Sequence, residues 1–558
     1  MILKLFSAIV MQLLLLSIAF SEPVSTFNLE ETTIDSLHRA IKNKQINCKT
    51  IVTTYLTRIK KYNLSVKTRT PINAITQINP SALDQAELLD HFYLTHKELI
   101  GPLHCVTVIL KDNIDSFDTT TSVGSLALLG NQPSKDAKLV AELRKAGAII
   151  LAKAGMDEFA WGVFGISSRS GRIGNAYNPN ENPGGSSGGP AAAVSANFAL
   201  VGIGTDNSGS IRIPAAFNGL FGLRPSTNLI SQTGIFPMGN LDGVPGPITR
   251  TSVDLALVLD VLAQSMPRSS HIPYFAHLNW HGMHRTRIGI VRRVGDLDTF
   301  KNMPAEIKTK FAMTYQTMRE LGVTFIDIDL PKFDTSRKYN QAGEIQEVNE
   351  YLASFPAVRK NFTDICTSER TRTFGQTKKC LAFIQSVAKK TSKHYQDTLN
   401  MFKKNKNYIH AIMDENNLDA LLIPISTHGS ATYDAFTMNT WRAPVASNAG
   451  LPSIAIPIGY SKDNLPIGIE LVGKQFTEGT LLAMAYSFEK HTNFRKTPEL
   501  EESDALMKLS IPELNNLFSQ IGMSAYEKVI KNSKSNSHGS EHLTPEVFRK
   551  IVTEVLRK

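Results

Sequence analysis

Cysteine is scarce: Cys48, Cys105, Cys366 and Cys380 are the whole complement of a 558-residue chain. Four are too few for disulfides to stand in for a core at this length, and no Cys-x-x-Cys occurs, which removes a zinc knuckle or a thioredoxin-like redox site. Cys105 lies in an apolar run and reads as a small buried hydrophobe; Cys366 and Cys380 could pair if the chain is exported. No long Pro/Gly/Ser linker breaks residues 30–490, and no internal repeat is found. Charge of one sign is not concentrated either. The formal net charge is +10, yet the densest basic runs, Lys389-Lys390 and Lys403-Lys404-Asn405-Lys406, are short. That argues against the clustered basic face of a nucleic-acid binder and for a solvated surface. Past the N-terminus, no stretch reaches the length of a transmembrane helix.

What is present is ordinary globular material, 42% hydrophobic and 20% charged. At the N-terminus Lys4 precedes the apolar stretch Leu5–Phe20, broken by Ser7, Gln12 and Ser17. Ala19-Phe20-Ser21 then offers small residues at the two positions a signal peptidase reads. The pattern predicts a secretory signal peptide over residues 1–21 and export to a periplasm or the exterior. An apolar run of about 16 residues falls short of the roughly 20 needed to span a bilayer; an uncleaved anchor is the rival reading.

Periodicity then organises the chain. Residues 29–64 read as helices, with a start at Thr33-Ile34-Asp35. Val106–Leu110, Ala148–Ala152 and Leu200–Gly204 read as buried strands, with helical segments at 137–146 and 191–199 between them. Residues 265–415 are more polar, with one strand candidate at Ile288–Val291. Leu418–Ile425, Ser453–Ile458 and Ile467–Val472 return to strand character, and Glu478–Glu489 reads as a helix. Strands alternating with helices predict an α/β fold. Beyond residue 498 the composition shifts: Lys531–His538 is a polar linker, and Pro545–Lys558 suits an amphipathic helix carrying Val547, Ile551 and Val555 on one face.

The chemistry lies in glycine-rich turns. Gly184-Gly185-Ser186-Ser187-Gly188-Gly189 lacks the Gly-Lys-Ser/Thr ending of a phosphate loop. Gly202-Ile203-Gly204 lacks the third glycine of a dinucleotide fingerprint, since Asn207 stands there. Gly185–Gly189 does match the Gly-x-Ser-x-Gly nucleophile elbow, but neither His410 nor His428 sits in a setting that marks it as the partner. Alone, the motif is a flexible turn. His281 and His284 form a possible metal pair without a third ligand, and Ser386-Val387-Ala388-Lys389 matches a Ser-x-x-Lys pattern without its partner motifs.

The glycine-serine turn does not stand alone. Gly204-Thr205-Asp206-Asn207-Ser208-Gly209-Ser210-Ile211-Arg212 follows it, and Lys111-Asp112-Asn113 ends the Val106–Leu110 run. Together these segments resemble the amidase signature family. Ala152–Phe159, Gly246–Asp254, Ala449–Pro452 and Leu465–Gly468 resemble further elements of that family, so the likeness covers roughly residues 30–490.

The resemblance implies a large mixed sheet sandwiched between helices (α/β/α), with residues 22–497 as the catalytic domain and 498–558 as a mostly helical extension. It implies Ser210 as nucleophile, Ser186 as a bridge and Lys111 as the ultimate base. A cis Gly185–Ser186 bond and an oxyanion hole from the backbone N–H groups of Asn207, Ser208, Gly209 and Ser210 follow from the same likeness. Ser187, Asp206 and Arg212 would support the site. No cofactor or metal is called for. The family commonly has glycine where this chain has Ser208, which would strain the turn if that position needs φ > 0.

The expected activity is hydrolysis of a carboxamide to an acid plus ammonia or an amine, on a small-molecule or peptide amide, without nucleic acid. Two alternatives stay open: the glutaminase-type A subunit of a tRNA-dependent amidotransferase, against which the signal peptide argues, and a non-catalytic binding module on the same fold.

Overall fold

The computed structural model describes residues 27–237, 243–263, 272–336, 343–368, 370–371, 377–387, 389–426, 444–529 and 543–557, without the side chains of 377–380. The signal-peptide segment, the linker at 531–538 and His428 lie outside them. Among the described residues no helix is long and apolar enough to cross a membrane.

Fourteen strands are described: β1 Ile75–Ile78, β2 Thr107–Lys111, β3 Ile149–Ala154, β4 Ile166–Ser167, β5 Gly171–Arg172, β6 Val201–Asp206, β7 Phe221–Arg224, β8 Val244–Thr249, β9 Arg287–Val294, β10 Leu297–Asp298, β11 Thr324–Leu330, β12 Ala420–Pro424, β13 Ser453–Tyr460 and β14 Pro466–Val472. β4 and β5 form a separate hairpin. The other twelve make one mixed sheet in the order β1-β3-β2-β6-β8-β7-β13-β14-β12-β9-β10, with β11 also on β9.

β3, β2 and β6 run parallel and are wholly buried, as expected of near-continuous Val/Ile/Leu runs covered by helices on both faces. Their parallel alignment brings the C-terminal ends of β2 and β6 side by side. That is where an open α/β sheet places its ligand site.

Three strands depart from the sequence reading. β8 contains Pro245 and Pro247, residues that speak against a central strand, yet it pairs with β6 along its length. Its pairing with β7 is confined to Ile248 and Thr249, so the prolines fall where that second ladder has ended. β11 escapes a periodicity reading because Asp327 and Asp329 interrupt its apolar residues; both are exposed. β1 is only four residues long.

The cysteine expectation also needs correction. Cys105 is not a lone packed thiol: it is disulfide-bonded to Cys48, across 57 residues of sequence. Cys366 is disulfide-bonded as well; Cys380, its suggested partner, is among the residues whose side chains are not described.

Residues 498–529 and 543–557 belong to the packed body. The helix Ile511–Lys528 covers β1, which is an edge strand and exposes unpaired backbone groups. Asn515 satisfies them: its Oδ1 accepts from Ile78 N at 2.7 Å and its Nδ2 donates to Ile78 O at 2.9 Å. The helix Pro545–Leu556 packs on that helix, and its buried face is Phe548, Ile551, Val552 and Val555, with Val547 only half-buried.

Leu514, Phe518, Ile521, Phe548, Ile551 and Val552 are all at most 3% exposed and join the main core. At about 1.5–3 kcal/mol per buried side chain, their loss approaches the whole stability of a typical domain. A chain ending at residue 497 is therefore expected to give no cooperative thermal transition. A soluble truncated protein melting within about 5 °C of the full chain would contradict this.

Candidate active site

Lys111 ends β2 and is completely buried. Its Nζ lies 2.7 Å from Ser186 Oγ, 2.9 Å from Thr205 Oγ1 and 3.3 Å from Thr205 O. Burial pushes the amine down to about 7, against the opposing pull of Asp157 and Asp206. A neutral amine has two N–H groups and one lone pair. If the two hydrogens go to Thr205 O and Oγ1, the lone pair faces Ser186 and can accept its hydroxyl proton. Thr205 thus orients the amine, a role that sequence spacing does not assign. Asn113 Nδ2 donates to Thr205 Oγ1 at 3.1 Å and steadies it.

Ser186 is fully buried and follows a cis Gly185–Ser186 peptide bond. Gly185 has no room for a side chain: a Cβ would lie 2.8 Å from the Val163 backbone and would collide with the Asp157 carboxylate. That carboxylate accepts from the backbone N–H of Phe164 and Gly165 at 3.1 and 2.9 Å, and Asp157 N donates to Ser186 O at 3.3 Å. Asp157 therefore ties the 157–166 loop to Ser186. It lies within the Ala152–Phe159 segment, but only the fold reveals what it touches.

Ser187 stitches the two turns together. Its N–H donates to Ser210 O at 3.1 Å and its Oγ donates to Thr205 O at 3.2 Å. Ser210, on the turn after β6, is 7% exposed, whereas Lys111, Ser186 and Ser187 are at 0%. Of the proposed triad, it is the group nearest the outside.

The turn itself is built by Asp206. One carboxylate oxygen accepts from Gly209 N at 2.7 Å and the other from Ile211 N at 3.1 Å. Arg212 Nε donates to the second at 3.0 Å, and Arg224 Nη1 lies 3.2 Å from the first. Burial alone would raise this carboxyl, but the two guanidiniums outweigh it and hold it well below the carboxylate range. Arg212 continues to Glu470 on β14.

The feared strain at Ser208 does not arise. The left-handed position is Gly209, at φ 110°, and Ser208 is not among the described residues with positive φ. Asn207 and Ser208 are half-buried at the mouth of the turn. Gly209 N–H is already engaged by Asp206, so any donation to an oxyanion competes with that carboxylate.

The remaining sequence candidates lie elsewhere. His410 accepts from Gln475 N at 3.2 Å on the helix Lys393–Glu415. His281 and His284 pack against each other, with ring centroids 6.4 Å apart. Among the described residues the one cluster with metal-ligand chemistry is Cys48, His104 and Cys105, whose thiols are joined as the disulfide.

A protein of Arabidopsis thaliana described as a probable amidase is 30% identical, over 88% of this chain and 96% of its own length. The A subunit of glutamyl-tRNA(Gln) amidotransferase from Alkaliphilus metalliredigens is 31% identical, over 85% and 99%. The crystal structure of native peptide amidase from Stenotrophomonas maltophilia superposes with a TM-score of 0.74 at 29% identity, covering 84% of this chain and 99% of that one. The sequence profile of the family described as Amidase matches residues 50–482.

Proposed function

The chain belongs to the amidase family and is an amide-hydrolysing enzyme, and we propose that it is exported and hydrolyses peptide or related external amides through an acyl-serine on Ser210. The observation that carries the mechanism is the neutral-capable amine of Lys111, 2.7 Å from Ser186 Oγ and oriented by Thr205.

In this reading Ser210 Oγ attacks the carbonyl carbon. Its proton passes to Ser186, whose own hydroxyl proton moves to Lys111 Nζ. The tetrahedral intermediate collapses with cleavage of the C–N bond, and the proton returns along the same path to the departing ammonia or amine. Water then attacks the ester, using the same base, and frees the acid. Backbone N–H groups of Asn207, Ser208 and Ser210, with Gly209 sharing its donor, stabilise the oxyanion. Ser187, Asp206 and Arg212 hold the turn and do not react.

The peptide-amide class is supported by the likeness to the peptide amidase. Export is supported by the apolar stretch ahead of Glu22 and by the Cys48–Cys105 disulfide, a bond that persists in oxidising compartments. N-terminal sequencing of the protein from culture medium or periplasm should begin at Glu22; an intact Met1 confined to the cytosol would end that part of the reading.

The second reading is an ammonia-supplying component of a larger enzyme, favoured by the comparable likeness to the amidotransferase A subunit. Purified protein and its Ser210→Ala variant should be assayed for ammonia or amine release from amidated peptides, aliphatic and aromatic amides, a fatty-acid amide and free glutamine. Peptide-amide turnover that disappears in Ser210→Ala is expected. Turnover of glutamine alone would establish the second reading. Full activity in Ser210→Ala would overturn the mechanism.

A further inference from the structure

We propose that a two-lobed groove around Tyr460 and Lys496 is a second peptide site, separate from Ser210, that holds a short peptide by its free C-terminal carboxylate and its free amino terminus. Such a peptide acid is what hydrolysis of a peptide amide leaves, so the source of the ligand rests on the hydrolase reading above.

The first lobe, about 620 Å³, opens between Tyr177, the turn after β13 and the segment that follows the helix Glu478–Thr492. Tyr460 and Pro498 are buried and form its floor, and Tyr177 is half-buried beside them. The two tyrosine rings lie 5.4 Å apart, centroid to centroid. The rim is exposed and carries both signs, Arg69 and Lys496 against Asp463 and Glu499. The second lobe, about 410 Å³, shares Tyr460, Asn464 and Lys496 with the first. It adds Lys310 and the exposed apolar side chains of Met313 and Phe494. The shared residues make the groove continuous, so it suits a chain of several residues whose apolar side chains rest on the rings and the thioether.

Charge changes along the groove. Both carboxylates line the first lobe, and among the described residues the second has none. Arg495, also in the second lobe, is already paired with Glu31 at 2.9 Å. Among the described residues Arg69, Lys310, Asp463, Lys496 and Glu499 have no ion-pair partner. An amino terminus therefore suits the first lobe. A carboxylate suits the second, where Lys310 and Lys496 offer charge-assisted donors. Ser461 Oγ accepts from Asp463 N and Leu465 N at 3.3 and 3.2 Å, which leaves its O–H to donate there as well.

The frame is built to hold Lys496. Tyr177 Oη donates to Lys496 O at 2.6 Å and accepts from Arg495 Nη1 at 2.9 Å. Tyr460 Oη accepts from Lys496 N at 2.9 Å and lies 3.1 Å from Tyr177 Oη. The Lys496 Nζ then sits 4.8 Å from the centre of the Tyr460 ring. This groove is not the site of Ser210. A Cβ on Gly219 would lie 2.9 Å from Tyr177 Oη, and Gly219 follows the C-terminal end of the helix Arg212–Phe217, whereas Ser210 precedes its N-terminal end.

The test uses the full chain carrying Ser210→Ala, so that an amide stays intact. It is titrated calorimetrically with glycyl-phenylalanyl-leucine, its C-terminal amide and its N-acetyl form. Adding Lys310→Gln and Lys496→Gln is expected to weaken the free acid by at least about tenfold and the amide by less than about twofold. Adding Asp463→Asn and Glu499→Gln instead should weaken the free acid and leave the N-acetyl form unchanged. All four residues are exposed, and thermal unfolding should show the variants folded. Absence of binding by the acid, acid binding unmoved by the lysine changes, or acid and amide weakened equally overturns the proposal. Equal weakening of the free and N-acetyl peptides by the carboxylate changes overturns the place given to the amino terminus.

Wild-type turnover of the tripeptide amide, measured alongside, separates the two readings. Lysine-dependent binding of the acid in a protein that hydrolyses no peptide amide would keep the groove and remove the peptide-amide reading. Turnover without lysine-dependent binding would keep that reading and remove the groove.

Discussion

Lys111→Ala is expected to lower kcat/KM for amide hydrolysis by about 10⁴-fold or more, the scale on which nucleophilic triads lose activity when one member is removed. The reason is local. The nitrogen at the Ser186 hydroxyl is Lys111 Nζ and not a histidine ring. The base works only as a free amine, and burial brings that amine down to about 7. The wild-type kcat/KM should therefore rise with pH through about 7 and level off above it. A profile flat between pH 5 and 9 would show that Lys111 is not the titrating base.

The same burial has a consequence for stability. In the unfolded chain the lysine holds its proton to its ordinary value of 10.5. Between about 7 and 10.5 the unfolded state is therefore the better proton binder, and stability rises with pH across that window. Below about 7 both states are protonated, and the native state bears the full cost of a buried ammonium. Lys111→Met removes that titration. Its melting temperature relative to wild type should be highest at pH 6 and should fall back as pH approaches 10. A difference that does not change with pH would mean that the lysine keeps an ordinary affinity for its proton in the folded protein.

The proposed triad is legible as a candidate because each member sits in a short string whose neighbours are constrained. Lys111 ends an apolar run, and Ser186 and Ser210 lie in turns where glycine is needed for close approach or for positive φ. Thr205 lies in the same string as Ser210, but nothing in its spacing shows a hydroxyl pointing back at a lysine 94 residues earlier. Asp157 is hidden for the same reason.

Sheet position is equally invisible at β8, where prolines signal a break and only the ladder pattern shows why they are tolerated. The Cys48–Cys105 bond and the docking of Asn515 on Ile78 join residues 57 and 437 apart. Local periodicity reports which face of an element is apolar; it does not report what that face meets.

Arg212→Met is expected to destabilise the protein by about 3–5 kcal/mol, the usual result of removing one partner from a buried ionic group. Asp206, Arg212, Arg224 and Glu470 are all completely buried, two of each sign, so their charges cancel. Deleting Arg212 leaves Asp206 facing Arg224 alone and strands Glu470, which keeps a hydrogen bond from Ser453 Oγ at 3.0 Å. Burial already raises the Glu470 carboxyl despite Arg212. Without that guanidinium it should rise further and take up a proton in the folded state.

A carboxyl raised by folding makes the native state the better proton binder, so the variant should recover stability as pH falls from 8 to 5. Adding Glu470→Gln should restore part of the loss at pH 8, because the two side chains are not independent. Activity should fall in Arg212→Met even where the protein is folded, since the carboxylate that loses its partner also fixes Gly209 and Ile211 on either side of Ser210. Thermal unfolding at both pH values, alongside kcat on the best amide, decides the matter. An Arg212→Met protein that melts with wild type would mean that Arg224 alone suffices to hold Asp206, and that the turn carrying Ser210 is fixed by the backbone and not by this cluster of charges.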